Sequence, residues 1–155
     1  MPSFASLAIP ALYQTSRQFA PRSLAALRYV QFSSKVGSKP EVVTFEEIDT
    51  LVQKKDKDVI LIDVREANEV AQGVIPTSRH VPLGNIQEAL SLPDKEFEAR
   101  FGFKKFNKDD EVIFYCRSGK RSGMAFDMAK QLGYNGARNY SGSWLDYEAK
   151  AKSPK

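Results

Sequence analysis

The stretch 112-VIFYCRSGKRSG-123 carries the fold reading of this chain. Residues 112–116 form an apolar run rich in β-branched and aromatic residues, the pattern of a strand buried on both faces of a parallel sheet. Just downstream, 122-SGMAFDMAKQL-132 sets Met124, Ala125, Met128, Ala129 and Leu132 on one stripe, with Asp127, Lys130 and Gln131 opposite. That spacing predicts a helix laid on the sheet and closed by Gly133. A buried strand, a short loop and a packed helix are the unit from which α/β folds are assembled.

The same unit recurs upstream. The run 59-VILIDV-64 reads as a second buried strand, and 79-RHVPL-83 as a shorter one stopped by Pro82. Thr44 and Glu47 stand at capping-box spacing, so a short strand at Val42-Val43 should lead into a helix with Ile48, Leu51 and Val52 inward. A short helix is expected over 66-EANEVAQ-72, ending at Gly73. Residues 85–103 should be helical, broken at Pro93, with Asp94 capping the second piece and Gly102 closing it. Phe97, Phe101, Phe103 and Phe106 are expected to cover one face of the sheet. A last strand at 137-ARNY-140 precedes a helix over 142-GSWLDYEAKAK-152. The alternation predicts an α/β fold with a mainly parallel central sheet flanked by helices on both faces.

Charge is unevenly placed along the 155 residues. Residues 1–40 hold five basic side chains (Arg17, Arg22, Arg28, Lys35, Lys39) and no acid, whereas residues 41–155 hold 18 basic and 19 acidic ones. The net charge of +4 therefore belongs to the leader, which removes support for a nucleic-acid partner. No apolar run approaches the ~18 residues of a membrane span, so membrane insertion is not expected. An Arg-bearing, Ser-rich, acid-free leader has the composition of a mitochondrial transit peptide. It is assigned to residues 1–36, with a weakly amphipathic helix opened by Pro21, cleavage within 28-RYVQFSSKVG-37 and the matrix as destination. The domain proper is assigned to residues 41–152.

One cysteine excludes an internal disulfide framework and a multi-cysteine metal site. With His80 the only histidine, neither a metal nor a cofactor is expected. Cys116 instead stands at the carboxyl end of a central strand, where open α/β sheets bind their ligands. The residues after it, Arg117, Ser118, Gly119, Lys120, Arg121 and Ser122, are small or cationic, and no acid lies between Glu111 and Asp127. Gly119 can adopt the positive φ that turns loop N–H groups inward, and the following helix N-terminus adds its dipole. An anion cradle built this way favours the thiolate, lowering a free thiol pKa of ~8.5 to about 3.5–7.5. Such a nucleophile needs no histidine base.

The loop 116-CRSGKR-121 resembles the active-site loop of rhodaneses (thiosulfate sulfurtransferases), in which six residues starting with cysteine encircle the reacting sulfur. Two further segments are similar to family signatures: 61-LIDVREANEVAQGVIPTSRHVPL-83 and 139-NYSGSWLDY-147. His80 and Val74 depart from the asparagine and histidine often found there, and Trp144 with Tyr147 replaces the more usual Phe and Trp. The resemblance implies a ping-pong reaction. Cys116 would take the outer sulfur of thiosulfate as a persulfide, release sulfite, and pass the sulfur to cyanide or a thiol such as glutathione. Arg117 and Lys120 would hold the dianion, and the N–H groups of Ser118 through Ser122 would hold the persulfide. Asp63 and Arg65 are expected to pair with backbone and with Glu69 in support of the loop, His80 to be structural, and Trp144 to line core or pocket. With no second cysteine, the acceptor must come from outside the chain.

Two other functions fit these residues less well. A phosphatase or arsenate reductase of related architecture uses Cys-x5-Arg, but the sixth position after Cys116 is Ser122 and Arg121 comes one residue early. A non-catalytic rhodanese module that binds a partner often lacks the cysteine or its cations, and this chain keeps both.

Overall fold

The computed structural model describes residues 39–152. The leader at 1–36, with its expected helix and cleavage segment, lies outside the described residues. Four parallel strands run in the order β2-β1-β3-β4: β1 Val59–Asp63, β2 Arg79–His80, β3 Glu111–Tyr115 and β4 Ala137–Asn139. Six helices complete the chain order: α1 Phe45–Lys54, α2 Ala67–Val70, α3 Leu83–Ser91, α4 Asp94–Phe101, α5 Lys120–Gln131 and α6 Ser143–Ala151. The expected parallel α/β class is the observed one.

Side-chain alternation along the central strands builds two cores, one on each face. Val112, Phe114 and Cys116 point to the side covered by α3, α4 and α5, together with Ile62 and Val64. Ile113, Tyr115 and Leu61 point to the side of α1 and α6, meeting Ile48, Tyr140 and Tyr147. The period-2 rule therefore places Cys116 on the α5 face, below the first turn of that helix. The Phe group packs as expected: Phe97 is fully buried, with Phe101 at 4.9 Å and Phe103 at 5.0 Å between ring centroids.

Several local expectations are corrected. The short strand before α1 is only a bridge between Val42 and Asn139. Thr44 caps α1 through Glu47 N–H (3.4 Å), but Glu47 does not turn back to complete the capping box. Its carboxylate pairs with buried Arg138, which also holds Glu111 (2.7 Å) and Pro40 O (2.6 Å). Tertiary charge pairing outcompetes the local cap. The strand expected over 79–83 has only two residues, because Pro82, with its fixed φ, already serves as N-cap of α3. Pro93 likewise precedes α4, leaving Asp94 as its first residue rather than its cap, where the carboxylate still favours the helix dipole. Helix α2 spans four residues instead of seven. In α5 the buried stripe is Ser122, Ala125 and Ala129, and Met124 faces solvent, because the helix starts at Lys120 and its rotation is set by Ser122 under the loop.

Candidate active site

Between the last residue of β3 and the first of α5 lie only Cys116, Arg117, Ser118 and Gly119. Gly119 is the N-cap of α5 and takes φ +90°, the left-handed conformation that closes the loop in so few residues. Its N–H donates to Cys116 Sγ at 3.1 Å. The N–H groups of Ser118 and Ser122 are also directed to the sulfur, and the Ser122 hydroxyl lies beside it, donating to Gly119 O at 3.1 Å when it is not bonded to sulfur. Lys120, Arg121 and Ser122 are thus the first turn of a helix, not loop residues, and the dipole acts directly on the thiol.

A second helix grips the loop from behind. At the start of α6, Trp144 N–H donates to Cys116 O (2.9 Å) and Leu145 N–H to Arg117 O (3.1 Å). Ser143, fully buried and left-handed at φ +56°, accepts from Cys116 N–H at 3.1 Å, donates to Tyr140 O at 2.8 Å, and lies 3.9 Å from Sγ. Amides of the loop and of the first turn of α5 converge on the sulfur, while amides of α6 hold the Cys116 and Arg117 carbonyls. The site is polarised for negative charge by backbone geometry.

The thiol responds accordingly. Burial pushes its pKa up, but the hydrogen bonds from Ser122 N–H and hydroxyl, Ser118 N–H and Gly119 N–H outweigh that cost and hold it below the ordinary value. The three cations of the loop divide into two kinds. Arg117 and Lys120 are exposed and form no salt bridge among the described residues. Arg121 is turned aside: it bonds both carboxylate oxygens of Glu69, at 2.6 and 2.7 Å. The Arg121 hydrogen bonds depress the Glu69 pKa to about 2. Arg121 thereby ties α2 to α5, and its charge remains coupled to that of Cys116.

Asp63 and Arg65 form a buried pair, 1% and 2% exposed. Arg65 Nη2 donates to Asp63 Oδ2 (2.7 Å) and Gly73 O (2.7 Å), Nε donates to both carboxylate oxygens (3.0 Å), and Nη1 donates to Glu69 O (3.4 Å). The expected link from Arg65 to Glu69 is made through the backbone carbonyl, which frees the Glu69 carboxylate for Arg121. Trp144 stacks over the Arg65 guanidinium at 4.9 Å, and its ring fills the space where a Cβ on Gly73 would sit 2.8 Å away. His80 Nε2 bonds Arg65 O at 2.8 Å. These residues prop α2 and α6 against the loop and do not reach the sulfur themselves.

The comparisons with known proteins fall on this arrangement. The rhodanese-like domain model matches residues 44–150. The chain belongs to the rhodanese-like domain family. A Schizosaccharomyces pombe protein provisionally named as a mitochondrial thiosulfate sulfurtransferase is 44% identical over 124 residues, 79% of this chain and 87% of that protein. The thiosulfate:glutathione sulfurtransferase of Saccharomyces cerevisiae is 40% identical over 114 residues, 74% of this chain and 82% of its own. Among solved structures, the human single-domain sulfurtransferase TSTD1 superposes with a TM-score of 0.68 at 32% identity, covering 74% of this chain and all of that one. The chain is accordingly a sulfurtransferase.

One residue of this rhodanese-like site, Ser143, carries no signal in the sequence, and another, Glu69, takes a partner other than the expected one. Ser143 contacts a partner 27 positions away, and nothing local distinguishes it from Ser141. Glu69 was tied to Arg65, whereas its carboxylate serves an arginine 52 positions on. Gly119 takes the positive φ expected of it, and a second constraint acts there: a Cβ would lie 2.1 Å from Ser141 O. Gly119→Ala combines a left-handed non-glycine residue, costing about 1–3 kcal/mol, with that clash. We expect a lower melting temperature and a Cys116 thiol pKa raised towards the free value, read from the pH dependence of iodoacetamide alkylation. An unchanged alkylation profile would show that the Gly119 amide does not hold the thiolate.

Proposed function

We propose that the chain moves the sulfane sulfur of thiosulfate to a thiol acceptor such as glutathione, or to cyanide, through a persulfide on Cys116. The observation that carries this is the convergence of the Ser118, Gly119 and Ser122 N–H groups on one thiol, in a segment whose exposed Arg117 and Lys120 form no salt bridge among the described residues. Thiosulfate is a dianion, matching Arg117 and Lys120 in charge. The Cys116 thiolate attacks its outer sulfur, the S–S bond of thiosulfate breaks, and sulfite leaves with the bonding pair. The new Cys–S–S⁻ terminus takes the place of the original anion among the same donors, which is why one cradle serves both half-reactions. An incoming thiolate or cyanide then takes the outer sulfur and returns the pair to Cys116. The relative named for thiosulfate and glutathione supports the choice of donor and acceptor.

The persulfide cannot be resolved within a chain that has no second cysteine. Residues 41–152 are the catalytic domain in this reading, and residues 1–36 a mitochondrial transit peptide delivering it to the matrix. The acid-free composition of that segment and the mitochondrial name of a relative support this.

The test is sulfite release from thiosulfate with glutathione or cyanide as acceptor, followed across pH. Only the thiolate reacts, so the rate should rise with pH and level off past an inflection below the ~8.5 of an ordinary thiol. The lowered pKa sets that direction. Glu69, held at about 2, stays ionised throughout and adds no inflection in the neutral range. A rate still climbing steeply above the ordinary thiol value, or no sulfite at all, would contradict the proposal.

A further inference from the structure

A cleft lies away from Cys116. About 760 Å³ in volume, it lies towards the amino-terminal ends of the strands, between the turn after α1, the first half of β1, the start of β2 and the segment joining α4 to β3. Its floor is apolar, with Val59, Ile60 and Phe103 contributing. Three independent features mark it.

The first is an incomplete ladder. β3 pairs with β1 over Val59–Asp63, but β2 pairs only with Ile62 and Asp63. Residues 59–61 therefore have a strand alongside on one edge only, and an edge of this kind is a template for an added strand.

The second is charge. Lys55, Lys57, Arg79 and Lys104 line the cleft, are exposed, and form no salt bridge among the described residues. The two acids in its wall are outnumbered by these cations and are held in their own turns, Asp56 accepting from Asp58 N–H (2.9 Å) and Asp110 from Asn107 N–H (2.7 Å). The third is backbone conformation. Only three non-glycine residues among those described have positive φ. Ser143 is at the active site, Lys55 (φ +50°) is the left-handed C-cap that ends α1, and Thr77 (φ +70°) lines this cleft. For a β-branched threonine this is costly, and such positions gather where a chain holds a ligand.

We propose that this cleft binds an acidic peptide segment in extended conformation, laid beside Val59–Leu61 with its carboxylates towards Lys55, Lys57, Arg79 and Lys104. The peptide comes from a partner. Residues 1–40 of this chain carry five basic side chains and no acid, so its own amino-terminal segment has the wrong sign. The site is independent of the sulfur chemistry at Cys116.

The test titrates the full chain with a fluorescein-labelled Glu-Val-Asp-Val-Glu-Val peptide and with its all-lysine counterpart, reading anisotropy, with backbone amide shifts locating the contact. The acidic peptide should bind with salt-sensitive affinity and shift the Val59 and Leu61 amides, while the lysine peptide should not bind. Lys57→Glu combined with Lys104→Glu should weaken binding about tenfold or more and leave both the melting temperature and sulfite release unchanged. Equal binding of both peptides, no binding of either, or shifts confined to the Cys116 loop would overturn the proposal. So would decanoate shifting the same amides where the peptide does not, which would assign the cleft to a small anion. Concentration-dependent dimerisation through the cleft, abolished by the charge reversal, would assign it to a second copy and overturn it equally.

Discussion

Cys116→Ser is expected to abolish sulfur transfer while leaving the fold in place. The serine hydroxyl fits the buried position of the thiol, which is 0% exposed and lies among the same donors. Its oxygen, however, stays protonated where the thiol ionises, and it cannot carry sulfane sulfur as a persulfide. Loss of a covalent nucleophile from a preorganised site typically costs about 10⁴-fold or more in kcat, so sulfite release should fall to background. Circular dichroism and the melting temperature should remain close to wild type. Residual turnover above about one per cent would mean that sulfur moves without passing through Cys116.

The largest stability effect is expected from Asp63→Ala. Burial alone would push the Arg65 guanidinium pKa down, and its hydrogen bonds to Asp63 more than offset this. With the carboxylate gone, a charged side chain only 2% exposed keeps its backbone acceptors but has no counter-ion. Breaking a buried pair from one side costs about 3–5 kcal/mol, or roughly 10–20 °C in melting temperature for a domain of this size. Replacing both partners, Asp63→Leu with Arg65→Met, should recover a substantial part of the loss, because no buried charge then remains. If Asp63→Ala melts within a few degrees of wild type, the pair is not the prop described here. Because Arg65 also holds Glu69 O and Gly73 O, loosening it should free Glu69 from Arg121 and lower activity as a secondary effect.

How far the sequence could be read depended on the range of each interaction. β1, β3 and α5 were legible because apolar runs and helical stripes are local signals, and they place Cys116 at a strand end beneath a helix. The lengths of β2 and α2 were not, since Pro82 can equally end a strand or open a helix and only the packing of α3 decides. Met124 was misplaced because its stripe was phased from the apolar residues, whereas the loop anchors the helix through the polar but buried Ser122. The cationic loop was legible as an anion site, and the resemblance assigned the dianion to Arg117 and Lys120, but nothing local named a partner for Arg121. Only the folded chain shows Arg121 paired with Glu69, and Arg117 and Lys120 exposed with no salt bridge among the described residues. Ser143 and the gripping amides of α6 arrive from a distant segment with no mark of their own.

The central claim is that sulfur rides on Cys116. Intact-protein mass spectrometry after incubation of reduced protein with thiosulfate, with sulfite measured in the same sample, tests it most directly. A gain of one sulfur atom, matched by one sulfite, stripped by glutathione or cyanide and absent from Cys116→Ser, is the predicted result. Folded, reduced protein that gains no sulfur and releases no sulfite, or a serine variant that gains it equally, would contradict the account.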